Sequence, residues 1–333
     1  MYGHYKKTDK LSLVLANDYR LLQVMSRFGI ALGFGEKTID EVCRQCGADT
    51  ATFLTIINYV KDGADNYPQN VEDVDVSSVL DYLQRTHHYF LDYLFPHIRW
   101  HLLNAIDCSV KNEIAFLVLK FFDEYVEEVR KHMEYEETTV FTYVRRLVEG
   151  HPMPADRGHL LSRHNEDINS KLRELKKLFV QYYPQAENNE RLNAVIISIY
   201  QAEEDLTIHC CVEDNIFAPA VHRLEKNEKI SSMVNSQSST FNLSAPKLGE
   251  VPVRGMGCVN GQWSILSARE KEIVTCVAKG LSNKEIADRL CLSVNTVTTH
   301  RRNIARKLDI HSPAGITIYA IVNKLVSIDE VNI

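Results

Sequence analysis

Two short segments carry the same pair of metal-capable side chains, His132-Met-Glu-Tyr-Glu136 and His209-Cys-Cys-Val-Glu213. On a helix, residues four apart share a face, so each imidazole and its carboxylate can reach one metal centre. A single pair of this kind is weak evidence, because solvated His–Glu pairs are common on helices. The wider spacing changes that. His87 precedes His132 by 45 residues, and His164 precedes His209 by 45. The offsets His87 to His164, His132 to His209 and Glu136 to Glu213 are each 77 residues. Histidine is also concentrated here, with 10 of 13 between His87 and His222. The pattern reads as two similar helical hairpins, each giving one lone histidine and one His-x-x-x-Glu.

Folded together, such hairpins would direct four imidazoles and two carboxylates to one centre. Nitrogen and oxygen donors without thiolate suit iron, manganese or zinc. Six ligands exceed the four of tetrahedral zinc. Two irons, by contrast, can share two bridging carboxylates and take two imidazoles each, leaving room for oxygen, nitric oxide or peroxide. The logic parallels that of di-iron carboxylate bundles, although those use Glu-x-x-His.

Ligands so far apart in sequence need long helices to align them. Helical patterns run near 76–106, 112–149, 156–182 and 188–226, with breaks at HPMPADRG and YYPQAENN. Their lengths, with no alternating strand pattern, predict an antiparallel four-helix bundle over 76–226 in an all-α chain. Residues 1–65 read as a domain of short helices. One amphipathic stretch, LSLVLANDYRLLQVMSRFGI, stops at the glycine turn GFGEK; a helix over Thr38–Cys46 and another through FLTIINYVK follow. The polar run NYPQNVEDVD reads as a connection. Periodicity vanishes after Lys229, so 227–263 is expected to be a flexible linker before a helical domain at 264–333.

The segments RTHHYFLDYLFPHI, EEVRKHMEYEETTVF, SRHNEDI and LTIHCCVEDNIFAPAV resemble the haemerythrin-like domain of the repair-of-iron-centres family, over roughly residues 10–225. That resemblance implies two iron ions held by His87, His132, Glu136, His164, His209 and Glu213. His88 is the alternative to His87 should the helix slip by one residue. Residues 11–60 are similar to the family's N-terminal segment, with one departure. Leu32-Gly33-Phe34-Gly35 stands where members usually carry adjacent cysteines, so thiol chemistry attributed to that pair does not transfer.

Other candidates have plainer readings. Cys43-Arg-Gln-Cys46 is a lone C-x-x-C without βαβ context. Cys210 and Cys211 flank a ligand and could meet nitric oxide, but read first as packing residues. His97 and His101 read as surface or rim histidines, and Phe116, Phe121, Phe122 and Tyr125 as core.

The formal charge of −6 argues against a nucleic-acid partner until it is divided. Residues 264–333 hold 10 Lys and Arg against 7 Asp and Glu, while the first 263 hold 28 against 37. In the basic part, Ser267 and Glu270 form a capping box, Gly280 ends that helix, and Ser282 and Ser293 start two more. Two short helices joined by a tight turn make a helix-turn-helix, whose second helix can enter a major groove. That helix exposes Asn295, Thr298, Thr299, Arg301, Arg302 and Arg306. Arg302 is suited to guanine, and Thr298 and Thr299 to a thymine methyl or a base edge. Lys284, Asn295, Arg301 and Lys307 are placed as phosphate contacts. The pattern L-S-x-R-E, G-L-S-N-K-E-I-A, L-S-x-x-T-V-x-x-H resembles the LuxR-type helix-turn-helix domain, with Thr298 where many members have lysine. GITIYAIVNKLVSI is similar to that family's dimerisation helix.

No apolar run approaches the ~20 residues of a membrane span, the N-terminus lacks a secretory pattern, and eight cysteines lack disulfide-framework spacing. The expected location is a reducing cytoplasm. These features predict a homodimeric transcription regulator of double-stranded DNA, sensing oxygen, nitric oxide or an oxidant at its iron pair, with no catalytic residue assigned. The alternative is a di-iron protein for iron-centre repair or nitric oxide and peroxide processing, with an autoregulatory DNA-binding tail. In either case the signal would have to cross the linker.

Overall fold

The computed structural model describes residues 4–63, 74–106, 113–151, 166–183, 190–226 and 266–331. Local sequence explains where the helices begin. Side-chain caps from Thr38, Asp49 and Asp75 start α3 (Ile39–Cys46), α4 (Thr50–Asp62) and α5 (Val76–His88). The stretch that reads as one amphipathic helix is two, α1 (Leu11–Asn17) and α2 (Leu21–Arg27). Asp18 breaks it by accepting from the Arg20 backbone N–H and binding the Arg20 guanidinium. Among the described residues the chain is helical without strands, save an isolated bridge between Lys10 and Thr38.

The middle of the chain is a four-helix bundle. Its long helices contain α6 (Phe95–Ala105), α7 (Glu113–Tyr135), α8 (Thr142–Val148), α9 (Glu166–Tyr182), α10 (Glu190–Val212) and α11 (218–226). Neighbours around the ring are α6–α7, α7–α9, α9–α10 and α10–α6. Three of the helical runs contain a π-helical turn, at Tyr89–Leu94, Glu136–Phe141 and Glu213–Phe217. A π turn holds an extra residue and is enriched at functional sites. Phe121, Phe122 and Tyr125 are core residues, but Phe116 is 55% exposed, so its reading as core is corrected.

Two hydrophobic cores flank the bundle's middle. One joins the N-terminal helices to Val79, Leu83, Val140, Val144 and Phe217. The other runs from Phe90, Phe122 and Met133 through α7 and α9 into the C-terminal domain. That domain contains α12 (Ala268–Ala278), α13 (Asn283–Leu290), α14 (Val294–Leu308) and α15 (Pro313–Val322). Capping boxes at Ser267–Glu270 and Ser282–Glu285 start α12 and α13, and Ser293 caps α14. The expected linker at 227–263 lies outside the described residues.

Candidate metal centre and nucleic-acid interface

The buried layer between the two cores is polar. Ligand-capable atoms of His87, Glu136, His209 and Glu213 all lie within 4.8 Å of one another. The Nε2 atoms of His87 and His209 are 3.3 Å apart. Glu136 Oε2 lies 3.4 Å from His87 Nε2, and Glu213 Oε1 lies 3.2 Å from His209 Nε2. His132 adds a fifth group, its Nε2 being 3.1 Å from Glu136 Oε1. Each ligand-bearing helix thus delivers its donor just before, or at the first residue of, its π turn.

Burial sharpens the chemistry. His87 is fully buried and His209 nearly so, with His87 stacked on Phe141 at 5.2 Å and His209 edge-on to Phe90 at 6.2 Å. Burial alone would raise the Glu213 carboxyl, but His209, with His87 and His132 near, holds it below the ordinary carboxylate range. Glu136 Oε2 and His209 Nδ1 are buried and have no hydrogen-bond partner among the described residues. Buried polar atoms left unmatched are costly unless something absent completes them. Imidazoles and carboxylates converging with an orphaned carboxylate oxygen form a donor set that fits a divalent metal.

Of His87 and His88, it is His87 that lies in the cluster, whereas His88 is exposed and paired with Asp92. His164 lies outside the described residues. His97 is exposed and His101 half-buried, and they face each other, Nε2 to Nε2, at 2.9 Å. Burial, then Cys46, push the Cys43 thiol up to about 12. Burial and the Glu213 and Glu136 carboxylates raise Cys210 well above its usual range.

Glu137 is a functional residue missed in the sequence. Its Oε1 lies 3.1 Å from His87 Nδ1, while Glu136 faces Nε2 of the same ring. A carboxylate on the outer nitrogen fixes the tautomer of a metal-binding imidazole. The hydrogen bond to His87 in turn lowers the Glu137 carboxyl, against a smaller opposing effect of burial. Glu137→Gln is therefore expected to weaken metal binding by about 10–100-fold with the bundle still folded. Competition against a chelator of known affinity, with helicity measured in parallel, checks this; unchanged affinity would show that Glu137 does not support His87.

In the C-terminal domain, Ile286, Val297, Ile304 and Leu308 are buried while Lys284, Asn295, Thr298, Thr299, Arg302 and Arg306 are exposed. Two basic side chains of α14 have partners within the domain. Lys307 Nζ lies 2.6 Å from the buried Glu270 carboxylate, and Arg301 Nη1 donates to Asn283 Oδ1 at 2.6 Å. Both cations brace α14 against its own domain. Thr298 and Thr299 donate to the carbonyls of Val294 and Asn295, leaving their oxygens as acceptors.

This architecture is a metal-capable helical bundle joined to a helix-turn-helix domain, and the comparisons define both parts. Residues 78–221 match the model of the hemerythrin HHE cation binding domain, and residues 264–320 that of bacterial regulatory proteins of the luxR family. The chain is a fusion of these two families. It is similar to the oxygen regulatory protein NreC of Staphylococcus haemolyticus and to that of Staphylococcus carnosus. Each is 46% identical over 66 residues, 20% of this chain and 30% of the relative. NreC of Staphylococcus aureus is 46% identical over 63 residues, 19% of this chain and 29% of its own. The chain thus spans about 30% of the length of the curated relatives it matches. No solved structure matches it. No described helix is long and apolar enough to cross a membrane.

Proposed function

We propose that this chain is a cytoplasmic transcription regulator whose bundle senses oxygen, nitric oxide or an oxidant through two iron ions. The observation that carries the reading is the convergence of His87, Glu136, His209 and Glu213 in a bundle fused to a LuxR-family domain. His132 and His164 complete the proposed ligand set. When bound, the iron pair supplies open coordination positions and redox electrons to a small diatomic ligand or peroxide.

The chain's own residues do the rest. Glu137 holds the His87 ring, and the two apolar cores exclude bulk water from the buried donors. A change in charge at the centre alters what Glu136 and Glu213 must neutralise, and both begin π turns, where helical register can shift. On the output side, Arg302 reads guanine while Lys284, Asn295 and Arg306 hold phosphates, and two domains pair on a two-fold site. The described cysteines are free thiols, which suits a reducing compartment.

The test is DNA binding on genomic fragments by metal-free, iron-loaded reduced, oxidised and nitrosylated protein. Distinct affinities are expected; identical binding in all four states refutes the sensor reading. Within the same assay, Arg302→Ala should cost about 1–3 kcal/mol on the preferred site and relax its specificity. Lys284→Ala should weaken all sequences evenly and reduce the salt slope by about 1. Selectivity unaltered by Arg302→Ala would exclude base reading by that side chain.

A further inference from the structure

The helix that should pair two output domains already has a partner. α15 is apolar around most of its circumference, and Gly315, Ile316, Thr317, Ile318 and Ala320 are all buried. A helix of that kind must be covered on more than one side. One side packs on α12 within its own domain, and another packs on α7 and α9 of the bundle. Tyr182 of α9 meets Tyr319 edge to face at 5.8 Å, and the apolar core is continuous across the junction.

Polar contacts fix this packing in one geometry. Glu174 of α9, only 4% exposed, accepts from the backbone N–H groups of His311 and Ser312 at 3.1 and 3.2 Å, and from the Ser312 hydroxyl. Its carboxylate therefore sits at the N-terminus of α15, the positive end of the helix dipole. Three residues along α9, Lys177 Nζ donates to the Leu308 carbonyl at 2.6 Å and lies 3.1 Å from Asp309 Oδ2. That ammonium caps the C-terminus of α14, the negative end of its dipole. An acid and a base one turn apart thus grip opposite helix ends on either side of the Asp309–Ser312 turn. The fit is close: a Cβ added at Gly315 would come within 2.1 Å of Glu174 Oε1.

Lys176, one of the two residues between them, is engaged by another helix. Lys176 pairs with Glu203 of α10 and lies 4.0 Å over the Tyr200 ring. α10 also carries His209 and reaches Glu213. The metal-capable helix, α9 and the output domain are therefore joined by direct contacts, without recourse to the linker. Meanwhile Asn295, Thr298, Thr299, Arg302 and Arg306 remain exposed.

We propose that the bundle is an intramolecular competitor for α15. In this closed arrangement the Glu174–Lys177 clasp covers the face through which a second copy would pair, while the DNA-reading helix stays open. Control then acts on pairing rather than on base reading, and a movement of α10 relayed by the Lys176–Glu203 pair loosens the clasp. The proposal rests on the LuxR-family domain binding DNA as a pair, but not on which metal or signal the bundle takes.

The test compares full-length wild type with Glu174→Ala and Lys177→Glu by sedimentation equilibrium. Lys177 is partly solvent-exposed, so its variant keeps the comparison available if the buried substitution impairs folding. Amide exchange at 311–315 reports the clasp itself. Both variants are expected to expose these amides and to strengthen self-association about 5–150-fold, the usual range of coupling between sites. Exposed amides with self-association unchanged or weakened would overturn the proposal, as would amides unprotected in wild type. Binding to a random-sequence duplex pool, long enough for half-sites about 10 base pairs apart, is measured alongside. Variants that pair but bind no duplex would remove the DNA-binding reading and leave the clasp standing.

Discussion

Glu213→Ala is expected to leave a folded bundle that cannot retain its metal. Glu213 is buried, begins a π turn, and lies 3.2 Å from His209 Nε2 with the other donors clustered around it. Loss of a supporting partner costs about 10–100-fold in metal affinity. Loss of a carboxylate that both ligates and neutralises should cost about 100-fold or more, since the remaining imidazoles bring no compensating charge. The smaller alanine also leaves a cavity at a buried position, so some loss of stability accompanies it. Glu213→Gln separates the two effects by preserving volume. Metal analysis of anaerobically purified protein should find both variants depleted, with His132→Ala depleted less severely because His132 is more exposed. Full metal content in Glu213→Gln would take Glu213 out of the ligand set.

The parts of this site legible in sequence are those set by local spacing. His-x-x-x-Glu works because four residues make about one helical turn, and His132–Glu136 and His209–Glu213 each pair at that spacing. The caps at Ser267, Ser282 and Ser293 were legible for the same reason, each acting three residues away. The π turns were not. One extra residue among thirty looks like ordinary drift in an apolar stripe, yet it allows the adjacent residues Glu136 and Glu137 to face two nitrogens of one ring. Cys291 and Asp309 end α13 and α14 with φ of 52° each, where glycine is the usual signal. Glu174 and Lys177 carry no local signal, because their partners lie 131–138 residues away in the chain. Their role depends on how two domains meet, which no local window contains. The linker was accordingly assigned a coupling role that direct packing of α9 against α15 makes unnecessary.

A second long-range pair, Arg27 with Asp205, should give the largest stability effect in the molecule. Arg27 looks like an ordinary basic residue in the last turn of a short helix, but it is only 3% exposed. Its guanidinium makes two parallel contacts to Asp205, at 2.8 and 2.5 Å, and lies 5.4–5.7 Å from the rings of Tyr82, Tyr89 and Phe90. Burial works against its charge, and Tyr82 with Asp205 more than offsets that penalty, so the guanidinium stays ionised. Arg27→Ala would leave the Asp205 carboxylate partly buried without its partner, at a cost of about 3–5 kcal/mol. Replacing the pair together, as Arg27→Met with Asp205→Leu, should recover much of that loss, because the penalty lies in the orphaned charge. Asp205 stands one turn before His209 on α10, so the single variant should also lose metal affinity while the double variant regains it. Denaturant unfolding and metal titration of the two variants measure both effects. Equal destabilisation by the single and double changes would show that side-chain packing, rather than the ion pair, joins the N-terminal helices to the bundle.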